Sequence, residues 1–320
     1  MIEGTGQYKP KKERQTSYTL IELMSMELPE PRWAVPDILP EGCIILAGKP
    51  KMGKSIMCLN LAISIASGGK AFGNVDVEKG GVLYLALEDR ERRIKTRATK
   101  ILQQRSIPKN LHLEFEWPRI QNGEIPGLEK RIKEIPDLRL VIIDTLQIIR
   151  PAQSGRQKTQ YSIDYDDVIA VKKLADKYDI SILIVLHLRK TQSEDIMDDI
   201  SGTFGLTGAA DGIIALKRIT GQADAELHIT GRDIEAERYA LIFHPDLLSW
   251  ELLGKAEEVK STRIKQEIYD TIKQADIPIT PKEIKEITGI QERTVYWNLN
   301  KLQKDGSIEK AIKPGAYKIK

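Results

Sequence analysis

The chain is decided by one stretch, Cys43-Ile44-Ile45-Leu46-Ala47-Gly48-Lys49-Pro50-Lys51-Met52-Gly53-Lys54-Ser55-Ile56. Residues 48–55 fill every fixed position of the phosphate-loop pattern G-x-x-x-x-G-K-[ST]. The context supports the letters. Cys43–Ala47 reads as a buried strand entering the loop. Ile56, Leu59, Leu61, Ala62 and Ile65 read as the buried side of a helix leaving it. In that setting backbone N–H groups converge on an anion, and the helix N-terminus adds partial positive charge. The pattern assigns Gly48, Lys49, Pro50, Lys51, Met52, Gly53, Lys54, Ser55 and Ile56 to nucleotide binding. Lys54 reaches the β- and γ-phosphates, and the Ser55 hydroxyl ligates Mg²⁺.

Outward from the loop, apolar runs recur at Val82–Leu87, Leu138–Ile143, Ser181–Leu186 and Gly212–Leu216, with helical patterns between them such as Asp166–Tyr178. Near-continuous apolar strands separated by helices predict an α/β core with a mostly parallel sheet covered on both faces. After Ile213 the pattern changes. Glu226–Thr230, Tyr239–Phe243 and Leu248–Leu252 are short strands joined by turns, which predicts antiparallel strands added at one edge. The expected layout is an N-terminal arm over 1–28 with a short amphipathic helix around Leu20, Ile21, Leu23 and Met24. An ATPase-type domain follows over 29–254, then a charged linker over 255–262 and a small domain over 263–320.

Composition sets the bounds. A chain of 320 residues with 49 Lys+Arg and 46 Asp+Glu carries a formal charge of +3. Residues 255–320 hold 14 basic against 10 acidic side chains, so the positive excess lies in the small domain. Two cysteines, Cys43 and Cys58, flank the loop in the predicted strand and helix and read as core residues of a reduced, cytoplasmic protein. No run approaches the ~20 apolar residues of a membrane span.

Ligands of open α/β sheets bind beyond the carboxyl ends of the strands, and three further sites lie at such ends. Leu140-Val141-Ile142-Ile143-Asp144 ends in a carboxylate suited to hold Mg²⁺. Leu83–Leu87 ends in Glu88 and Asp89. Glu88, directly after the strand, is the better candidate to polarise the attacking water, and Asp89 can cap the next helix, which carries Arg90, Arg93 and Arg97. Ile182–Leu186 ends in His187, placed to bond a γ-phosphate, with Arg189 and Lys190 behind it.

The last segment reads independently. Ile264, Ile268 and Ile272 are spaced four apart on one helix. Thr280-Pro281-Lys282-Glu283 is a capping box opening a helix that buries Ile284 and Ile287 and stops at Gly289. A third helix buries Val295, Leu299 and Leu302. It exposes Arg293, Thr294, Trp297, Asn298, Asn300 and Lys301. Ser307–Ile312 and Ala316–Ile319 form a hairpin with Lys310, Lys313 and Lys318 on it. Three helices and a hairpin predict a winged helix-turn-helix domain that contacts duplex DNA through that face or, alternatively, binds protein.

The loop, the Glu88-Asp89 strand, the Asp144 strand, the His187 strand, Ser201-Gly202-Thr203 and Thr230-Gly231-Arg232-Asp233 occur in an order that resembles the RecA-type P-loop ATPases. They are most similar to the RepA-like hexameric replicative helicases of plasmids and phages. The resemblance spans about Trp33 to Leu252. It implies ATP and Mg²⁺ as cofactors, Lys54 and Ser55 on nucleotide and metal, and Glu88 as the catalytic carboxylate. It further implies Asp144 on the metal, His187 as γ-phosphate sensor, and Arg232 as the arginine completing a neighbouring subunit's site. Thr230 stands where related helicases carry the lysine of a Lys-x-Arg pair, which leaves Lys217 and Arg218 as reserve candidates. It implies a homohexameric ring around single-stranded DNA. The basic segment Arg150–Lys158, with Arg150, Arg156 and Lys158, suits strand contact better than the acidic segment after Lys190. The expected function is an ATP-driven helicase in mobile-element replication. The alternatives are a recombination or repair ATPase without unwinding, and an initiator or regulator that binds a DNA site and is switched by ATP.

Overall fold

The computed structural model describes residues 17–121, 124–150, 160–187, 208–218 and 225–320, side chains of 160–164 excepted. Arg156, Lys158, Tyr161's side chain, Arg189, Lys190 and Ser201–Thr203 lie outside this set.

The chain divides after Leu252 into two compact units. The first begins with helix α1 (Leu20–Met24), closed by a reciprocal Thr19–Glu22 capping box. The small strands β1 (Trp33–Val35) and β2 (Leu39–Pro40) pair antiparallel. Strand β3 (Gly42–Gly48), buried at every position, feeds α2 (Lys54–Ser67) through the glycine loop. Helix α2 is apolar nearly all round and correspondingly buried, from Met57 to Ala66. It stops at Gly68 in the left-handed conformation. The short pair β4 (Lys70–Ala71) and β5 (Val75–Asp76) leads to β6 (Gly81–Ala86), α3 (Glu91–Leu102) and β7 (Leu111–Glu114). After these come α4 (Leu128–Glu134), β8 (Leu138–Asp144), α5 (Leu146–Ile149), α6 (Gln160–Tyr178) and β9 (Ser181–His187). Strands β10 (Gly212–Arg218), β11 (Ala225–Gly231), β12 (Glu237–His244) and β13 (Ser249–Lys255) complete one sheet.

That nine-stranded sheet has the order β13-β12-β11-β10-β3-β9-β8-β6-β7. From β10 through β3 to β7 every pairing is parallel, while β10–β11 and β11–β12 are antiparallel. The expected α/β core with antiparallel edge strands is what forms. Alternation along each strand divides the core in two. Ile44, Leu46, Tyr84, Ile142 and Leu183 pack with α2 and α3 on one face. Ile45, Leu85, Val141, Ile143 and Ile184 pack with α4 and α6 on the other. Cys43 and Cys58 are free thiols, both fully buried, as the core reading expects. Among the described residues no helix is long and apolar enough to cross a membrane.

The second unit contains α7 (Ala256–Gln274), α8 (Pro281–Thr288), α9 (Glu292–Lys304) and the antiparallel pair β14 (Ile308–Lys310) and β15 (Tyr317–Ile319). Its core is Ile268, Ile272, Ile284, Val295, Leu299, Leu302 and Ile308. The Thr280–Glu283 capping box forms in both directions, and Gly289 ends α8 at φ +74°. Three expectations are corrected. Residues 255–262, read as a linker, are helical from Ala256, because Glu257 and Glu258 favour a helix N-terminus. Ile287 is 67 % exposed, since one turn past Ile284 on an eight-residue helix it has rotated off the core side. Asn298, expected on the exposed face of α9, is 1 % exposed and donates to the Thr294 carbonyl at 2.9 Å.

Candidate functional site

Parallel register brings the candidate groups to one end of the sheet. Gly48 lies level with His187, and Ala86 with Asp144. The backbone then ties the ends together: the N–H groups of Leu87 and Glu88 both donate to the Asp144 carbonyl, at 2.8 and 3.3 Å. Glu88, Asp144 and His187 therefore stand around the mouth of the phosphate loop, as the four strand-end motifs anticipate.

The loop is shaped by Gly53, which caps α2 at φ +97°, a region open to glycine and costly for other residues. A Cβ there would also lie 3.0 Å from the ring of Trp250. Trp250, 2 % exposed on the outermost strand, thus backs the loop. Asn60 fixes it, accepting the Trp250 N–H at 3.2 Å and donating to the Leu248 carbonyl at 2.8 Å. Lys54 is 3 % exposed, and its ammonium donates to the carbonyls of Gly48 and Lys49 at 2.7 and 2.9 Å. Burial pulls its pKa down to about 8, against the opposing charges of Asp144, Cys58 and Glu88. An anion in the loop restores the charged form by the same logic.

Asp144 is 2 % exposed, and burial raises its carboxyl above the usual range while the Ser55 and Tyr84 hydroxyls hold it back. Tyr84 donates to Oδ2 at 3.0 Å, whereas the buried Oδ1 has no hydrogen-bond partner. An orphaned carboxylate oxygen beside a serine hydroxyl, with a phosphate loop above, is a donor set of hard oxygens that fits Mg²⁺.

The two acids after β6 are unlike. Asp89 takes Arg93 and Arg97 at 2.7 and 2.6 Å, and its side chain is 7 % exposed. It anchors α3 through these arginines; the N-cap position itself is Arg90, without a side-chain cap bond. Glu88 is left facing the site, with Oε1 accepting from Thr145 Oγ1 at 3.2 Å and Oε2 3.1 Å from His187 Nε2. Glu88 and His187 form a contacting pair, which sequence order alone did not indicate.

The arginines separate by position. Gly231 pairs with Gly212, and Gly212 with Ile44, four residues before Gly48. Arg232, one residue further, therefore sits at the end of the sheet away from its own loop, ~16 Å back along the strands, with its side chain 63 % exposed. Lys217 and Arg218 lie at the loop end instead. Arg218 stacks over Phe243 and Trp250, with ring centroids 5.5 and 5.8 Å away, so the aromatic side chains hold it in place. The aromatic wall of Phe243 and Trp250 was not read in the sequence, and period-two alternation in β12 and β13 was its only available signal.

Arg150 is a correction. Its side chain is 13 % exposed and its Nε lies 3.3 Å from the nearly buried Asp167 of α6, so it clamps α5 to α6 and is not free for a phosphate. In the second unit Arg293 and Trp297 are exposed, and Lys301 stacks on Trp297 with its ammonium 3.6 Å from the ring centroid.

Residues 9–193 match the family described as an AAA domain, AAA_25. The solved ATPase domain of G40P superposes with a TM-score of 0.52 at 18 % identity, over 67 % of this chain and 85 % of that one. No curated protein matches the sequence. The fold is that of the RecA-type P-loop ATPases.

Proposed function

Because the chain belongs to the AAA_25 family of AAA domains, we propose that it is an ATP-driven motor on DNA. The reading is a hexameric helicase of the RepA-like kind, which translocates on single-stranded DNA in mobile-element replication. The observation behind it is the convergence of Lys54, Glu88, Asp144 and His187 on one strand end while Arg232 stands exposed at the other.

Hydrolysis then proceeds by positioning and charge neutralisation. The loop N–H groups and Lys54 hold the β- and γ-phosphates, the ammonium exchanging the Gly48 and Lys49 carbonyls for phosphate oxygens. Ser55 and Asp144 would hold Mg²⁺, which would supply positive charge to offset that of the phosphates. Glu88 orients the attacking water and accepts its proton. His187, 3.1 Å from Glu88, is read as the group that registers whether the γ-phosphate is present. Arg232 reaches the γ-phosphate of an adjacent copy and stabilises the transition-state charge there. Arg156 and Lys158 contact the single strand. The second unit is read as a winged helix whose Arg293, Trp297 and Lys301 contact duplex DNA.

The test is unwinding of a forked duplex with ATP, by the intact chain and by Glu88→Gln. Unwinding that disappears in Glu88→Gln, with nucleotide binding intact, supports the motor. ATP-dependent assembly on one duplex site without strand separation favours the alternative of an ATP-switched initiator, to which the exposed α9 face also lends support. Removing residues 256–320 should leave ATP turnover and lower duplex affinity at low salt, with the difference shrinking as salt rises.

A further inference from the structure

Asp211, which immediately precedes β10, lies far from the phosphate loop of its own chain and is nevertheless among its most tightly held carboxylates. Its N–H donates to the Cys43 carbonyl at 2.8 Å, and its Oδ2 accepts the Cys43 N–H at 3.0 Å, so it is fastened to β3 by backbone and side chain together. Its own carbonyl accepts the Arg232 N–H at 2.9 Å. Oδ1 meets the ammonium of Lys172 from α6 and lies 3.7 Å from the Arg232 guanidinium. Lys172 is itself shared with Asp176, 3.5 Å away on the same helix. Two glycines make the approach possible. A Cβ on Gly42 would lie 3.0 Å from Asp211 Oδ2, and one on Gly231 would lie 2.9 Å from its carbonyl oxygen.

We propose that Asp211 is the positioning residue of Arg232. It fixes the base of that side chain by the backbone bond and aims the guanidinium by its carboxylate, with Lys172 setting the carboxylate's own orientation. The inference rests on the reading of Arg232 as the arginine that completes a neighbouring site. The exposure pattern fits the division of labour: the carboxylate is 13 % exposed, while the arginine is 63 % exposed and open to a second copy. Arg232 is held at its root by the backbone bond, while its guanidinium, 3.7 Å from Asp211 Oδ1, stays largely exposed. The arrangement also joins Arg232 to α6 through Asp211 and Lys172.

A residue serving only the fold would, when changed, lower stability and nucleotide affinity together. A positioning residue for a group acting on another copy's nucleotide lowers turnover and leaves each copy's own binding untouched. Asp211→Asn is the informative change, because the amide oxygen still accepts the Cys43 N–H while the charge that faces Arg232 is lost. The double change Asp211→Asn/Lys172→Gln serves if the single one is poorly folded, since it leaves no unpaired ammonium. The assay is steady-state ATP turnover with separate measurement of nucleotide affinity, on the full chain under assembling conditions.

The expected result is a fall in kcat of about tenfold or more at near wild-type affinity, and no further fall when Arg232→Ala is added, as two groups acting as a unit require. Mixing Asp211→Asn with Lys54→Ala should then recover part of the activity, each supplying what the other lacks. If Arg232→Ala loses turnover while Asp211→Asn keeps it, the inference fails and the reading of Arg232 stands. Losses that add in Asp211→Asn/Arg232→Ala also overturn it. If Arg232→Ala turns over at the wild-type rate, the reading of Arg232 falls and takes the inference with it.

Discussion

The parallel and antiparallel halves of the sheet are built differently, and the difference separates two kinds of chemistry. In the parallel half β3 and β6 are buried at every position and β8 at all but Arg139. Such strands have helices on both faces and open to solvent only at their ends, so functional side chains gather there. In the antiparallel half β12 reads as half-buried and exposed positions around a buried Leu241, and polar groups emerge along and past the strands. The first half forms a sheltered cradle for phosphate. The second presents an exposed arginine at the opposite end, beside the carboxylate of Asp211.

The comparison breaks first if the cradle is not where the chemistry happens. Lys54→Ala should abolish measurable ATP binding and turnover. Glu88→Gln should bind nucleotide and lose turnover by about 10²–10³-fold, the scale of losing a general base. Nucleotide-binding titration beside a phosphate-release assay separates the two, and near wild-type turnover in Glu88→Gln would move the role to another group. Next comes the antiparallel half: Arg232→Ala should lower turnover by roughly 10³-fold with affinity nearly unchanged. Partial recovery on mixing with Lys54→Ala, at fixed total protein and with mixed assembly shown, would place the two halves of one site on different copies. A flat response would return Arg232 to its own chain.

Gly53→Ala tests the seam between the halves. It forces a side chain at φ +97° and against Trp250, so nucleotide affinity should fall about tenfold or more, with a stability loss of ~1–2 kcal/mol. Thermal melts with and without nucleotide measure both. Core truncation sharpens the contrast further. Ile184→Ala, at a fully buried position of β9, should cost ~2–5 kcal/mol, and Leu252→Ala, half-buried on β13, clearly less, as urea unfolding would show.

The smallest effect expected is acid sensitivity at the face of the parallel half. Hydrogen bonds from Tyr178, Lys177 and Lys133 hold Glu129 on α4 down at about 2. A folded pKa below the unfolded one means stability present above pH ~4.5 and lost as pH falls toward about 2. Glu129→Gln should flatten that part of the stability curve, modestly, because the carboxylate is more than a third exposed.

Much of this arrangement was legible in the residues. Continuous apolar runs marked β3, β6, β8 and β9, and the carboxylates and histidine at their ends are the groups that converge. Strand-end position favoured Glu88 over Asp89, and Asp89 is the acid engaged in ion pairs: Arg93 and Arg97 lie four and eight residues on, where helix geometry returns them to it. What sequence could not supply was partnership across long separations. Arg150 looked like a free cation until Asp167 came beside it, and Asp211 gave no sign of linking Cys43, Lys172 and Arg232. Ile287 and Asn298 failed for smaller reasons: Ile287 sits near the end of an eight-residue helix, and Asn298, polar by type, lies three after Val295 and four before Leu302, on the buried side of its helix.

The direct succession of β13 and α7 in sequence bears on how the molecule can be taken apart. A separate ATPase fragment must keep Trp250, because that ring backs the phosphate loop from the outermost strand. A separate C-terminal fragment must start by Ala256 to keep its first helix whole. Only a handful of bonds satisfy both demands, and they lie within or directly after a strand. A protease that needs several extended, unpaired residues therefore finds little to grip at the junction. Limited digestion should leave the two units joined, and clean fragments should come only from gene truncation at this narrow seam.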